Sequence, residues 1–284
     1  MVAAVLALVA AGCGESGDSG GPTGGGGLTS FDGPDPGVAH VHGLGVDPAD
    51  GTLYAATHYG LFRIPSSGAA ARVANRYQDT MGFTVVGPRH FLGSGHPDHR
   101  EDRPPLLGLI ESTDAAQSWR SVSLSGEADF HALHATGDQV YGWNASAGDF
   151  MASGDGGKTW DRRARLSLRD FAVNPADPQI VLATVQNGLA RSSDGGRTFQ
   201  PTQGAVLAVL AWPQPASLLG LTPEGQVQHS ADGGTTWTMR GTVGAEPEAF
   251  TADGDTLYAA VADRGILAST DGGRTWTVRY RDPD

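Results

Sequence analysis

The chain has 284 residues, 42 of them glycine, with 31 acidic against 19 basic side chains and a formal net charge of −12. That length suits one large domain, and the acidic excess argues against nucleic acid and against an anionic membrane surface as partners. A single cysteine, Cys13, excludes an internal disulfide.

Residues 1–13 form a short apolar run ending Val9-Ala10-Ala11-Gly12-Cys13. The run is far below the ~20 residues that a helix needs to cross a bilayer. A small residue before the cysteine resembles a bacterial lipobox, although no Lys or Arg precedes the run. The resemblance implies a signal peptide, lipidation at Cys13 and an extracytoplasmic protein held to the membrane by that anchor alone. The alternative is a soluble secreted form. Residues 14–37 are Gly, Ser, Asp and Pro with almost no apolar side chains, the composition of a flexible tether. The folded part is expected over 38–284.

From there the chain reads as short strands divided by turn residues, with no helix of consequence. The first repeat opens at His40-Val41-His42-Gly43-Leu44, turns at Asp47-Pro48-Ala49-Asp50-Gly51, and continues through Leu53 to Thr57 and Gly60 to Ile64. The second starts near Met81-Gly82-Phe83 and carries an insertion from His96 to Leu107. The third starts at Asp129-Phe130-His131, the fourth at Asp170-Phe171, the fifth near Leu207 and the sixth at Ala249-Phe250. Leu257-Tyr258-Ala259-Ala260 nearly repeats Leu53-Tyr54-Ala55-Ala56.

One phrase punctuates these repeats. It reads Ser269-Thr270-Asp271-Gly272-Gly273-Arg274-Thr275-Trp276, and it recurs at Ser230 to Trp237, Ser192 to Phe199, Ser153 to Trp160 and, degraded, Ser112 to Trp119. Its aspartates, Asp114, Asp155, Asp194, Asp232 and Asp271, recur about every 40 residues, the period of a propeller blade. Asp-Gly-Gly supplies the positive φ of a tight hairpin, and the carboxylate can take backbone amides further along the turn. Ser-x-Asp-x-Gly-x-Thr-Trp is similar to the Asp-box, or BNR repeat, of sialidase-like propellers. The resemblance implies an all-β fold, a six-bladed β-propeller of four-stranded antiparallel blades. It also implies that the boxes are structural and lie on the face opposite any site. A calcium loop does not fit, because an EF-hand needs several acidic positions and each box has one.

Eight of the nine histidines fall in the first three repeats. Repeat alignment equates His42 with His131, early in the first strand, and His58 with His96, at the end of the second. All four are expected near one channel mouth, where imidazoles suit Zn or Cu and Met81 would favour Cu(I). The insertion offers Asp98, Arg100 and Glu101 for acid–base work or an anionic ligand, and Trp143 a face for stacking on a sugar. Scattered core histidines and a solvated loop are the structural alternatives.

Phe62-Arg63-Ile64-Pro65 matches the Arg-Ile-Pro motif of sialidases, but alignment puts Arg63 on the third strand, away from the channel. The rest of the sialidase set is missing. Over its folded length the chain resembles bacterial Asp-box propeller lipoproteins labelled glycosyl hydrolases. Three readings follow: a monomeric, lipid-anchored propeller binding a small ligand, glycan or metal at a His-rich mouth; a glycoside hydrolase, which needs two carboxyl groups ~5–9.5 Å apart; and a scaffold for a membrane complex. Converging ring nitrogens separate the first from the other two.

Overall fold

The computed structural model describes residues 35–67 and 69–281; Cys13 and nearly all of the tether lie outside them. It forms six four-stranded antiparallel sheets arranged as a propeller. Blade 1 is β1 (Val41–Asp47), β2 (Thr52–Thr57), β3 (Gly60–Ile64) and β4 (Ala71–Arg72). Blade 2 is β5 (Asp79–Gly87), β6 (His90–His96), β7 (Leu109–Ser112) and β8 (Arg120–Ser123). Blade 3 is β9 (Phe130–Thr136), β10 (Gln139–Asn144), β11 (Asp149–Ser153) and β12 (Asp161–Arg165). Blade 4 is β13 (Phe171–Val173), β14 (Val181–Val185), β15 (Gly188–Ser192) and β16 (Gln200–Pro201). Blade 5 is β17 (Val209–Gln214), β18 (Ser217–Leu221), β19 (Gln226–Ser230) and β20 (Thr238–Thr242). Blade 6 is β21 (Pro247–Asp253), β22 (Thr256–Val261), β23 (Gly265–Ser269) and β24 (Thr277–Tyr280). A single 3-10 turn over Val73–Asn75 is the only helical element among the described residues.

The apolar core is six wedges between blades rather than one centre. Tyr54 and Ala56 of blade 1 pack on Phe83 and Phe91 of blade 2, and Phe150 of blade 3 packs on Phe171 of blade 4. Second strands are covered on both faces, so β2 and β14 read as nearly unbroken apolar runs with little exposure. Outer strands do the opposite. β12 reads Asp-Arg-Arg-Ala-Arg and is largely exposed, a charged edge that discourages strand addition.

Each blade draws its four strands from one contiguous segment, so no strand is shared where the ring closes. Blades 6 and 1 meet through an apolar cluster that includes Val41, Phe62, Ala260 and Ile266. Arg279 donates to the carbonyls of Ile64 and Pro65 across the same seam. Glu248 completes it, accepting the Val41 amide at 3.0 Å.

The repeated phrase joins third to fourth strands. In blade 4, the Ser192 hydroxyl donates to Asp194 Oδ1 at 2.7 Å and accepts the Gly196 amide at 2.8 Å. Asp194 then accepts the amides of Arg197 and Thr198 and the Thr198 hydroxyl. These donors hold its carboxyl well below the usual carboxylate range. Gly196 has φ +87°, and a Cβ there would stand 2.1 Å from Phe150 Cε1, so the turn also seats a fully buried core ring of the neighbouring blade. The degraded copy keeps the same bonds through Ser112, Asp114 and Ser118. It does so with Ala115 and Ala116 at φ 60° and 65°, a conformation costing roughly 1–2 kcal/mol per non-glycine residue.

Ser192 is 1 % exposed, so Ser192→Ala strands the Gly196 amide without an acceptor. The expected loss is about 1–3 kcal/mol, read as a lower urea midpoint with an unchanged slope.

Candidate functional site

The channel is lined by the first strands of all six blades and has a volume of about 450 Å³. Its walls run from His42, His131, Arg169 and Glu248 at one end to Val46, Val86, Pro213 and Asp253 towards the other. Because second strands return to the end where first strands begin, the mouth collects first-strand starts and second-strand ends. The Ser–Asp hairpins close the opposite face.

A ladder defect shapes this mouth. In blade 1 the register shifts between Val41 and Gly43, leaving His42 as the extra residue. The same shift leaves Met81 between Thr80 and Gly82 in blade 2, and Glu248 between Pro247 and Ala249 in blade 6. In blade 3, Phe130 and Ala132 face the consecutive Asn144 and Trp143, leaving His131 extra. A β-bulge re-aims the side chain that it frees. Four blades thus carry His42, Met81, His131 and Glu248 at one structural position. Two residues earlier in those blades stand His40, Asp79, Asp129 and Glu246.

The four histidines singled out from sequence fall into two places at the mouth. His42 meets His58, its Nε2 3.1 Å from His58 Nδ1, with ring centroids 4.3 Å apart. Asp79 Oδ1 lies 3.1 Å from His58 Nδ1 and 3.6 Å from His42 Nε2. His40 joins them: one ligand atom from each of His40, His42 and His58 lies within 4.8 Å of the others. The other two reach Asp129, with His131 Nε2 2.7 Å and His96 Nε2 3.7 Å from Asp129 Oδ2.

Hydrogen accounting fixes the tautomers of the first group. Glu248 Oε1 takes His40 Nδ1 at 2.8 Å. A carboxylate accepts, so Nδ1 carries the hydrogen and Nε2 keeps a lone pair. The single hydrogen on His58 Nδ1 is shared between Asp79 Oδ1 and His42 Nε2, which leaves His42 neutral. Burial first, then the neighbouring imidazoles of His58, His40 and His131, push His42 down to about 3. The Asp79 hydrogen bond raises His58, with burial opposing and the Asp79 and Glu248 charges assisting.

The three donor atoms His42 Nε2, His58 Nδ1 and Asp79 Oδ1 are thus 3.1, 3.1 and 3.6 Å apart. Ligands on a tetrahedral ion with bonds near 2.0–2.1 Å stand about 3.3–3.4 Å apart. In the ion-free mouth the hydrogen on His58 Nδ1 bridges these atoms. Glu248 on His40 and the fixed backbone of the bulge supply the outer support that ligating imidazoles need.

The remaining candidates are engaged elsewhere. Asp98 is 1 % exposed, takes the Tyr77 amide at 2.7 Å and is paired with Arg100, which holds its carboxyl far below the usual range. Glu101 takes Arg76 Nε at 2.9 Å. Trp143 donates its indole N–H to Leu166 O, and its ring stands edge-on 6.1 Å from His131. Met81 is half-buried at its bulge. Arg63 lies on β3, half-exposed and 3.9 Å from Asp50. Asp170 is half-buried and accepts the amides of Phe171 and Leu210, and desolvation raises it to about 6 against their pull. Arg169 reaches over the blade 5 sector to Pro247 O at 2.6 Å and Glu246 at 3.3 Å.

Sequence reasoning passed over His40, Asp79 and Glu248 as ligand-side residues. The signal was available: His40 and Asp79 hold the position of Asp129, and Glu248 that of His42.

No known family profile and no curated protein matches the chain. Among solved structures it is similar to the GH74 enzyme of Niastella koreensis at 16 % identity and TM-score 0.61, over 85 % of this chain and 45 % of that one. It is similar to an ancestral GH74 enzyme at 15 % identity and TM-score 0.54, over 82 % and 37 %. It is also similar to YCF48 from Cyanidioschyzon merolae at 15 % identity and TM-score 0.53, over 88 % and 87 %. The chain spans less than half the length of these GH74 enzymes, and at such identities the likeness is one of fold.

His42 lies at about 3, and burial lowers the channel's His134 to about 4. Both are depressed, so the unfolded chain takes up their protons first, near 6.5. Stability is therefore lost as pH falls from 6.5 towards 4. Asp170, raised to about 6, opposes this with one proton against two. Thermal unfolding is expected to shift to lower temperature across that window, and His134→Gln to flatten the slope.

Proposed function

We propose that this chain is an extracytoplasmic, lipid-anchored monomer whose channel mouth binds a first-row transition-metal ion through His42, His58 and His40, with Asp79 as the carboxylate ligand. One observation carries the reading: the three donor atoms of His42, His58 and Asp79 already stand at the separations of ligands on one ion. Two imidazoles with a carboxylate suit Zn(II) or Cu(II). A neutral His42 adds an unprotonated donor across the physiological range.

The glycoside-hydrolase reading has the fold neighbours in its favour and ranks below this one. Its acids on the insertion, Asp98 and Glu101, are sealed against Arg100 and Arg76. The scaffold reading gives no reason for three imidazoles to converge.

Titration of the full-length chain with Zn(II) and Cu(II) by calorimetry tests the proposal. Affinity is expected to fall by about 100-fold or more in His42→Ala, since a ligand change costs more than the 10–100-fold of an outer-shell change. Equal affinity in that variant overturns the site.

The proton on His58 competes with the ion. Its raised basicity stabilises the metal-free mouth below about 6.5, and that contribution is lost as pH rises through the higher folded value. Metal affinity is thus expected to weaken as the pH is lowered from about 8 to 6. Proton release per ion should rise over the same span, measured by calorimetry in buffers of different ionisation enthalpy.

A further inference from the structure

We infer that the chain carries a second binding site, on the hairpin side of the boundary between blades 2 and 3, that takes the guanidinium group of an arginine on a partner polypeptide. This site is independent of the metal reading at the opposite mouth.

The repeat shows what such a boundary holds elsewhere. Between blades 3 and 4, Arg163 of β12 donates to the carbonyl of Gly195 in the next hairpin, with its guanidinium 5.9 Å from the centre of the Tyr141 ring. Between blades 4 and 5, Arg191 donates to Gly233 O at 2.7 Å. Between blades 5 and 6, a Cβ on Gly272 would stand 2.9 Å from Arg240 Nη1. Between blades 6 and 1, Arg279 reaches the carbonyls of Ile64 and Pro65. Four boundaries thus lay a guanidinium from one blade over the hairpin of the next. Between blades 1 and 2, Ala115 stands in the glycine's place and packs on the apolar wedge.

The boundary between blades 2 and 3 lacks such a group among the described residues. Arg163, Arg240 and Arg279 each stand three residues after the tryptophan that closes their hairpin, and the residue there in blade 2 is Val122. Arg191 pairs with Leu182 across its sheet, and the counterpart pair in blade 2 is Glu111 with Leu92. Leu92 also stands where blade 3 has Tyr141. Gly156, the counterpart of Gly195, has nothing within 4 Å of where a Cβ would be. With neither an arginine nor a tyrosine to fill it, a cleft of about 440 Å³ is left, a size in the range of small-ligand sites.

Its walls match the group that is missing. Val86, Leu92, Val122 and Val140 make apolar sides, on which the stem and flat faces of an arginine pack. Gly156 presents the carbonyl that in Gly195 takes Arg163. The carboxylates of Glu111, Asp138 and Asp155 outnumber the fixed cations Arg120 and Lys158. Arg120 does not fill the cleft, because its side chain is 68 % exposed and rests on Glu111.

A guanidinium offers coplanar donors to a carbonyl and a carboxylate together, which an ammonium does not. The four occupied boundaries each receive theirs on an arginine side chain, so the vacant one has the depth of that side chain. Its rim residues Arg120, Asp138 and Lys158 are exposed, which leaves the approach open to another chain.

Titration of the isotope-labelled full-length chain with N-acetyl-arginine amide, followed by amide NMR, tests the site. Saturable shifts are expected at Val122, Gly156 and Lys158. N-acetyl-citrulline amide, which has the same shape without the charge, should bind at least about tenfold more weakly. Val122→Arg supplies the missing group from within and should abolish the shifts, while Val122→Ala keeps the cleft open and should retain them. Val122→Gln fills the cleft without a new charge and should weaken binding, which covers the case in which Val122→Arg folds poorly. The site is overturned by the absence of saturable shifts, by shifts confined to other surfaces, by an equal response to the citrulline compound, or by shifts that persist in both filling variants.

Discussion

The β-bulge that opens the first strand of blades 1, 2, 3 and 6 sets the character of the channel mouth. A regular strand would alternate its side chains between two neighbouring blades and bury them in the wedges. The extra residue breaks that alternation, and His42, Met81, His131 and Glu248 are its products. The residue two before each bulge is freed with it, which is how His40, Asp79 and Asp129 come to stand beside imidazoles. A fold whose apolar demands are met between blades can carry such a polar rim, because no wedge depends on it.

The fold was legible because its signal is repeated. A turn phrase recurring about every 40 residues gives blade boundaries, and strands such as Leu53 to Thr57 then follow from composition. Even blade 1, which lacks the phrase, declared itself through Gly60-Leu61-Phe62-Arg63. The site was legible only in part. Alignment correctly equated His42 with His131, and His58 with His96, but equivalence in a repeat is not proximity in a ring. Blades 1 and 3 are two places apart, so His131 and the His96 of the blade between them each reach Asp129, while His42 finds its own blade's His58. Asp79 escaped notice because nothing in its local sequence marks it; only its equivalence to Asp129 does. The insertion misled in the other direction. His96 to Pro105 reads as an open charged loop, yet Asp98 is buried under the Tyr77 amide and Arg100. Long-range partners of that kind leave no periodic trace.

Charge at the mouth is arranged around neutrality. Three imidazoles crowd one another, and burial first, with that crowding added, keeps His42 uncharged. The cost of gathering them is met by Asp79 and Glu248, which bracket the group from blades 2 and 6. At the mouth Asp79 and Glu248 face histidines, whereas on the insertion Asp98 and Glu101 face Arg100 and Arg76.

The ring closes without exchanging a strand. Parting blade 6 from blade 1 therefore breaks no ladder hydrogen bond: it gives up an apolar contact, the Arg279 reach to Ile64 and Pro65, and the Glu248 grip on Val41 and His40. The cheapest large-scale fluctuation open to the molecule is then a gap at this one boundary, with every sheet intact. Because His40 and Glu248 sit on opposite lips of that gap, the mouth and the latch are the same pair of side chains. Amide exchange in β1 and β21 becomes a gauge of what the mouth is holding.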